Sequence, residues 1–201
     1  ATLEICEDGD GDTSSLSSDG GLKANDEVSQ IEELSHDQLK ALMELFSQQR
    51  FELVFKQAQE LTKLYSNNLT LWNLVGVSAV QLGRLDQAVL AFRNAININP
   101  NSADAHNNLG NVLIDQGEME EAIKAFDEAL TIKPDYAEAY YNNGNALQDQ
   151  GMFEEAFDAY KEALSYKPDY AEAYRGQSAI HSYSKDDPQI MQVEDLLLSL
   201  I

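Results

Sequence analysis

The sequence is short of cysteine, of basic residues and of long apolar runs, and each shortage removes a class of protein. Cys6 is the one cysteine in 201 residues, so no disulfide framework within the chain can staple the fold. A lone thiol fits a reducing compartment, and a cytoplasmic location is the expectation. Only 13 Lys and Arg stand against 35 Asp and Glu, giving a formal net charge of −22 and a pI near 4.2. A field of that sign repels phosphate backbones and anionic lipid, which argues against nucleic acid and membrane surfaces as partners. Neutral or basic protein partners remain. No run of about 18 apolar residues could span a bilayer as a helix, and no charged, apolar, small-residue succession reads as a signal peptide. Alternating strand patterns are missing as well.

What is present divides into two stretches. Residues 1–29 are rich in Asp, Ser and Gly and carry no helical period, so they read as an acidic, flexible segment with too little apolar surface to offset its ordering entropy. Asp8, Asp10 and Asp12 alternate as calcium ligands would. Thr13, however, stands where such a loop needs glycine, and Asp19 replaces the bidentate glutamate, so no metal site is expected. Lying back along the rest of the chain is disfavoured too, because residues 1–34 hold ten acids and one lysine.

From residue 30 onward the sequence repeats. KPDYAEAY occupies Lys133–Tyr140 and returns at Lys167–Tyr174, an offset of 167 − 133 = 34. The same offset aligns Gly76, Gly110 and Gly144, then Gly83, Gly117 and Gly151, then Phe92, Phe126 and Tyr160. It also aligns Ala88, Ala122 and Ala156, Ala95, Ala129 and Ala163, and Pro100, Pro134 and Pro168. Apolar letters within each unit fall at i, i+3, i+4 and i+7, the period of a helix with one buried face. The first glycine column and the alanines let two helices approach, and the aromatics fill the space beside them. The second glycine column suits a left-handed helix cap, and each proline stops a second helix. One unit is therefore a helix hairpin that cannot cover its own apolar face and must stack on its neighbours.

These residues resemble the tetratricopeptide repeat family, whose signature places an aromatic at position 4, Leu-Gly at 7 and 8, Ala at 20, an aromatic at 24, Ala at 27 and Pro at 32. Trp72, Val75, Gly76, Ala88, Phe92, Ala95 and Pro100 fill those slots in one unit. The next two units match, except that His106 replaces the aromatic and Asn143 the leucine. The resemblance implies an all-α solenoid, a right-handed superhelix of about four helix pairs with a C-terminal helix and cap. The units run approximately 35–68, 69–102, 103–136 and 137–170, with a partial unit and capping helix over 171–201. The first unit is degenerate but opens on Ser35 and Gln38, a capping-box pair. Asp187 and Pro188 suit the start of the last helix.

Catalytic chemistry is hard to place in this sequence. His36, His106 and His181 lie in different units without metal-ligand or triad spacing. Glu120–Glu121 and Glu154–Glu155 sit in first turns, where carboxylates complement the helix dipole. The expectation is a scaffold without enzyme activity, cofactor or metal. In this family the first helices line a concave wall, which here would carry Asn107, Asn108, Asn111, Asp115, Tyr141, Asn142, Asn145, Gln148, Asp149 and Arg175. A carboxamide both donates and accepts, so such a wall can bond the backbone of an extended peptide whatever its side chains. Asn108 and Asn142 hold position 6, as in the asparagine ladder of O-GlcNAc transferases. The lysine, asparagine and arginine that grip chaperone tails in the dicarboxylate-clamp subfamily are replaced by Leu39, Met43, Leu74, Asp104 and Asn108. The expected ligand is therefore a neutral-to-basic peptide. The alternative expectation is a non-catalytic arm of a longer glycosyltransferase or sulfotransferase, similar repeats being found ahead of such domains. A third is self-association through the ends of the stack.

Overall fold

The computed structural model describes residues 34–181. The segment 1–29 and the helix expected from Asp187 lie outside the described residues. Among these, nine α-helices and no strands are found: α1 His36–Ser47, α2 Phe51–Leu64, α3 Leu69–Gln81, α4 Leu85–Ile98, α5 Ala103–Gln116, α6 Met119–Ile132, α7 Ala137–Asp149, α8 Phe153–Tyr166 and α9 Ala171–His181. Each helix packs on the one before and the one after it. The first helices of successive units also touch, α3 on α5, α5 on α7 and α7 on α9. No comparable pairing joins α4 to α6 or α6 to α8, so the first helices lie on the inside of the curve. The architecture is the expected all-α solenoid.

Three contacts explain why 34 residues make one unit. Phe92, Phe126 and Tyr160 are buried to 1%, 0% and 0% exposure. A Cβ added at Gly76 or Gly110 would come within 2.6 Å of the Phe92 or Phe126 ring, and one at Gly144 within 2.7 Å of Tyr160. The Tyr160 ring is gripped from both sides, because Gly176 of α9 also approaches it. Gly83, Gly117 and Gly151 take φ of +68°, +81° and +76°, the left-handed turn that directs the chain from first helix to second. In that turn Glu118 N–H donates to the Leu113 carbonyl at 2.8 Å, and Gly117 N–H to that of Ile114 at 2.9 Å.

The degenerate first unit keeps the plan with different letters. Leu42 stands in the glycine column and Ala58 in the aromatic column, both buried in the same core, so the large and small members have changed places. Gln49 adopts the left-handed turn at φ 57° without being glycine. Ser35 and Gln38 form the reciprocal cap, with Gln38 N–H donating to Ser35 Oγ at 3.2 Å and Ser35 N–H to Gln38 Oε1 at 3.1 Å. Polar ties join units: Arg84 reaches Glu52 at 2.8 Å while its guanidinium lies 4.9 Å from the Phe55 ring centre, and Gln116 donates to Asp86 at 2.8 Å.

Candidate peptide-binding groove

The inner wall is built by α5 and α7, whose apolar faces turn toward α6 and α8 and leave their polar residues on the concave side. A concavity of about 560 Å³ opens there, lined by Asn111, Ile114, Asp115, Asn142, Asn145, Gln148 and Asp149. Six of the ten wall residues expected from the sequence meet in it. Asp115 and Asp149, one unit apart, are exposed and make no ion pair among the described residues.

The other four lie elsewhere. Asn107 is 2% exposed, and its Oδ1 accepts from Asn142 Nδ2 at 3.1 Å across the repeat boundary. It orients Asn142 rather than facing the groove, and Asn142 keeps one N–H and its oxygen for other partners. Asn108 is half-buried and does not line the concavity. Tyr141 packs between Tyr170 and Tyr160, with ring centres 5.0 and 5.9 Å away. Arg175 is exposed and pairs with Glu172 at 3.6 Å on its own helix.

Several groups that hold the wall in place carry no obvious mark in the sequence. Tyr160 Oη lies 2.7 Å from Asn145 Oδ1 and 3.0 Å from Gln148 Oε1, and burial pushes its hydroxyl up to about 12. Tyr136, at the end of the 103–136 unit, bonds Asp104 near its start, and burial first, then that bond, raises its hydroxyl well above the usual phenol range. Tyr170 holds the same place one unit on, its hydroxyl raised to about 12 by burial and by the Glu138 carboxylate. Lys133 and Lys167 lie over these two rings at 4.4 and 4.3 Å. The earlier units use a plain cap at this position, with Asn68 accepting from Leu71 N–H and Ser102 from Ala105 N–H. The KPDY letters that recur in the sequence are thus the junction at which a tyrosine replaces that cap.

His106 is a packing residue. Its Nε2 donates to the Pro100 carbonyl at 3.0 Å, the bond that Trp72 Nε1 makes to Ser66 at 2.8 Å one unit earlier. Its neutral tautomer must carry the proton on Nε2 for this. Asn143, in the leucine column, is 6% exposed; its Nδ2 donates to Asp127 at 3.1 Å and its Oδ1 is buried without a partner. Among the described residues no group of three or more His, Cys, Asp or Glu could hold a metal, and no helix is long and apolar enough to cross a membrane.

Family models described as TPR repeat match residues 78–117 and 110–151, and the tetratricopeptide repeat model matches 137–170. Residues 78–170 are tetratricopeptide repeats. Tetratricopeptide repeat protein 37 of Xenopus laevis is 31% identical over 83 residues, which cover 39% of this chain and 5% of that protein. The chain thus spans a small fraction of that relative's length. A structure of MamA superposes with a TM-score of 0.66 at 23% identity, over 69% of this chain and 81% of that one. YrrB, described as a TPR protein with an unusual peptide-binding site, gives 0.65 at 19% over 81% and 84%. The first TPR of Spaghetti (RPAP3), bound to the HSP90 peptide SRMEEVD, gives 0.56 at 19% over 57% and 91%. These likenesses establish the tetratricopeptide solenoid and leave the ligand to the chemistry of the wall.

Proposed function

We propose that this protein is an interaction scaffold, without catalytic activity of its own, that receives an extended neutral-to-basic segment of another protein along α5 and α7. The observation that carries this reading is the convergence of Asn111, Asp115, Asn142, Asn145, Gln148 and Asp149 around one concavity. Volume alone does not select it, since a groove over α4, α5 and α6 has about 520 Å³ and an apolar floor of Ile96, Leu109 and Leu113. Donor chemistry does. Carboxamides pair with main-chain N–H and C=O, and the two exposed aspartates draw Lys or Arg side chains through a wall whose net charge repels acids. Rigid helices present these groups with little ordering cost. Solenoid neighbours whose descriptions mention peptide binding support the reading at the level of the fold. A chaperone-tail ligand is disfavoured, because Leu39, Met43, Leu74 and Asp104 stand where a dicarboxylate clamp needs polar and basic groups.

A peptide array read with the wild type and with Asn111→Ala/Asn142→Ala, both in the concavity, tests it. The wild type should retain basic extended peptides and reject acidic ones, and the double variant should lose them. Identical patterns from both proteins would remove the amide wall from the account. An arm of a longer transferase would use the same wall, and the length of the natural open reading frame separates that reading from a free-standing scaffold.

A further inference from the structure

We propose that the Tyr160 hydroxyl is a positioning residue of the groove, turning the Asn145 and Gln148 carboxamides in opposite senses so that together they read the main chain of one residue in a bound extended segment. This rests on the peptide-binding reading above. A phenol has one proton to give and lone pairs with which to accept. Two carboxamides lie within bonding distance of Tyr160 Oη, Asn145 at 2.7 Å and Gln148 at 3.0 Å. The shorter contact takes the proton at Asn145 Oδ1. Gln148 then completes the phenol oxygen by turning its Nε2–H toward it, since the two ends of a carboxamide are nearly the same size.

The consequence lies on the other side of each amide. Asn145 shows its NH₂ to the concavity and Gln148 its Oε1. In an extended chain the C=O and N–H of one residue point the same way, toward one neighbour, so this donor and acceptor match them as a neighbouring strand would. Because burial raises the hydroxyl to about 12, it keeps its proton throughout the physiological range. The device belongs to one repeat. Position 24 is Tyr160 here, with Asn145 and Gln148 at positions 9 and 12, whereas the preceding units hold Phe126 with Asn111 and Ile114, and Phe92 with Val77 and Val80. The hydroxyl is not needed to fill the core, since phenylalanine fills it twice.

The test uses the full 201-residue chain. In a nuclear Overhauser spectrum of the ¹⁵N-labelled protein, the Tyr160 ring protons should give a stronger cross-peak to the Gln148 side-chain NH₂ than to that of Asn145. A stronger cross-peak to the Asn145 NH₂, or equal ones to both amides, overturns the assignment without any ligand being present. Tyr160→Phe should then weaken binding of fluorescein-labelled acetyl-(Lys-Ala)₄-amide by about tenfold. Unfolding followed at Trp72, in the other core cluster, should keep its urea midpoint. Unchanged affinity for the probe overturns the proposal, as does a loss matched by an equal shift in that midpoint. Failure of the wild type to bind the probe at all would instead strike at the peptide-binding reading, with the cross-peak still deciding the orientation.

Discussion

Replacing Gly110 by alanine sets two effects of opposite sign against each other. Alanine is the better helix former in the interior of α5 by about 1 kcal/mol, so an isolated helix would gain. In the stack, the new Cβ would stand 2.6 Å from Phe126 Cε1, 2.7 Å from Cζ and 2.9 Å from Cδ1. Ordinary carbon contacts are about 3.5–4.0 Å, so the ring must retreat by roughly 1 Å. It has nowhere to go, being 0% exposed with Ala122 and Ala129 fully buried on the same helix. Overpacking of this kind costs about 1–3 kcal/mol, and after the propensity gain the net loss should be about 0–2 kcal/mol. Equilibrium urea unfolding followed by far-ultraviolet circular dichroism would measure it. In a Phe126→Leu background, the alanine should cost less by at least about 1 kcal/mol, the coupling expected of direct neighbours. Gly117→Ala provides the contrast: nothing lies within 4 Å, but φ is +81°, so it should lose about 1 kcal/mol from backbone strain and show no coupling to residue 126. Stabilisation by Gly110→Ala in the wild-type background would refute the packing argument.

Other consequences follow from single features. Gln49→Gly should stabilise the first unit by about 0.5–1 kcal/mol, because it relieves a left-handed backbone at φ 57°, and the urea midpoint reports it. Asn143→Leu should stabilise by about 1–2 kcal/mol, since it removes a buried carbonyl oxygen without a partner and restores the apolar slot that Leu109 fills one unit earlier. The same change should alter the acid limb of the stability profile. Burial raises the Asp127 carboxyl above its usual value and the Asn143 N–H partly lowers it again, so losing that donor raises it further. A carboxyl raised on folding destabilises the protein when ionised. Its penalty is absent below the unfolded value near 3.8, grows as pH rises through the folded value, and should be larger in Asn143→Leu. Carboxyl carbon titration by nuclear magnetic resonance checks the direction. Asp115→Asn/Asp149→Asn should weaken a lysine-bearing peptide and flatten the salt dependence of its binding, because neither carboxylate has a counterion among the described residues.

The fold was legible because small and large residues alternate in register: Gly110 against Phe126 and Gly144 against Tyr160 leave few other ways to pack. The first unit was harder to read because Leu42 and Ala58 preserve the sum of volumes while exchanging the members. Gln49 carries a glycine conformation with no glycine to announce it. At the wall, the resemblance to the repeat family indicated which side of α5 and α7 faces inward, and six of the ten expected residues are gathered there. It could not tell which carboxamides are already engaged. Asn107 and Asn108 are neighbours in the sequence, yet a rotation of about 100° between consecutive helical positions buries one against Asn142 and leaves the other half-exposed. The Tyr160 hydroxyl was invisible for a related reason: as a core ring it is interchangeable with phenylalanine, and only its distance to two amides gives the oxygen a part.

On the function proposed above, the α5–α7 wall is the surface on which an extended basic segment lies. Titrating ¹⁵N-labelled protein with acetyl-(Lys-Ala)₄-amide tests it most directly. Shifts confined to Asn111, Asp115, Asn142, Asn145, Gln148 and Asp149 are the predicted result. Shifts centred instead on Arg93, Ile96, Lys124 and Glu128, in the groove over α4, α5 and α6, would contradict it.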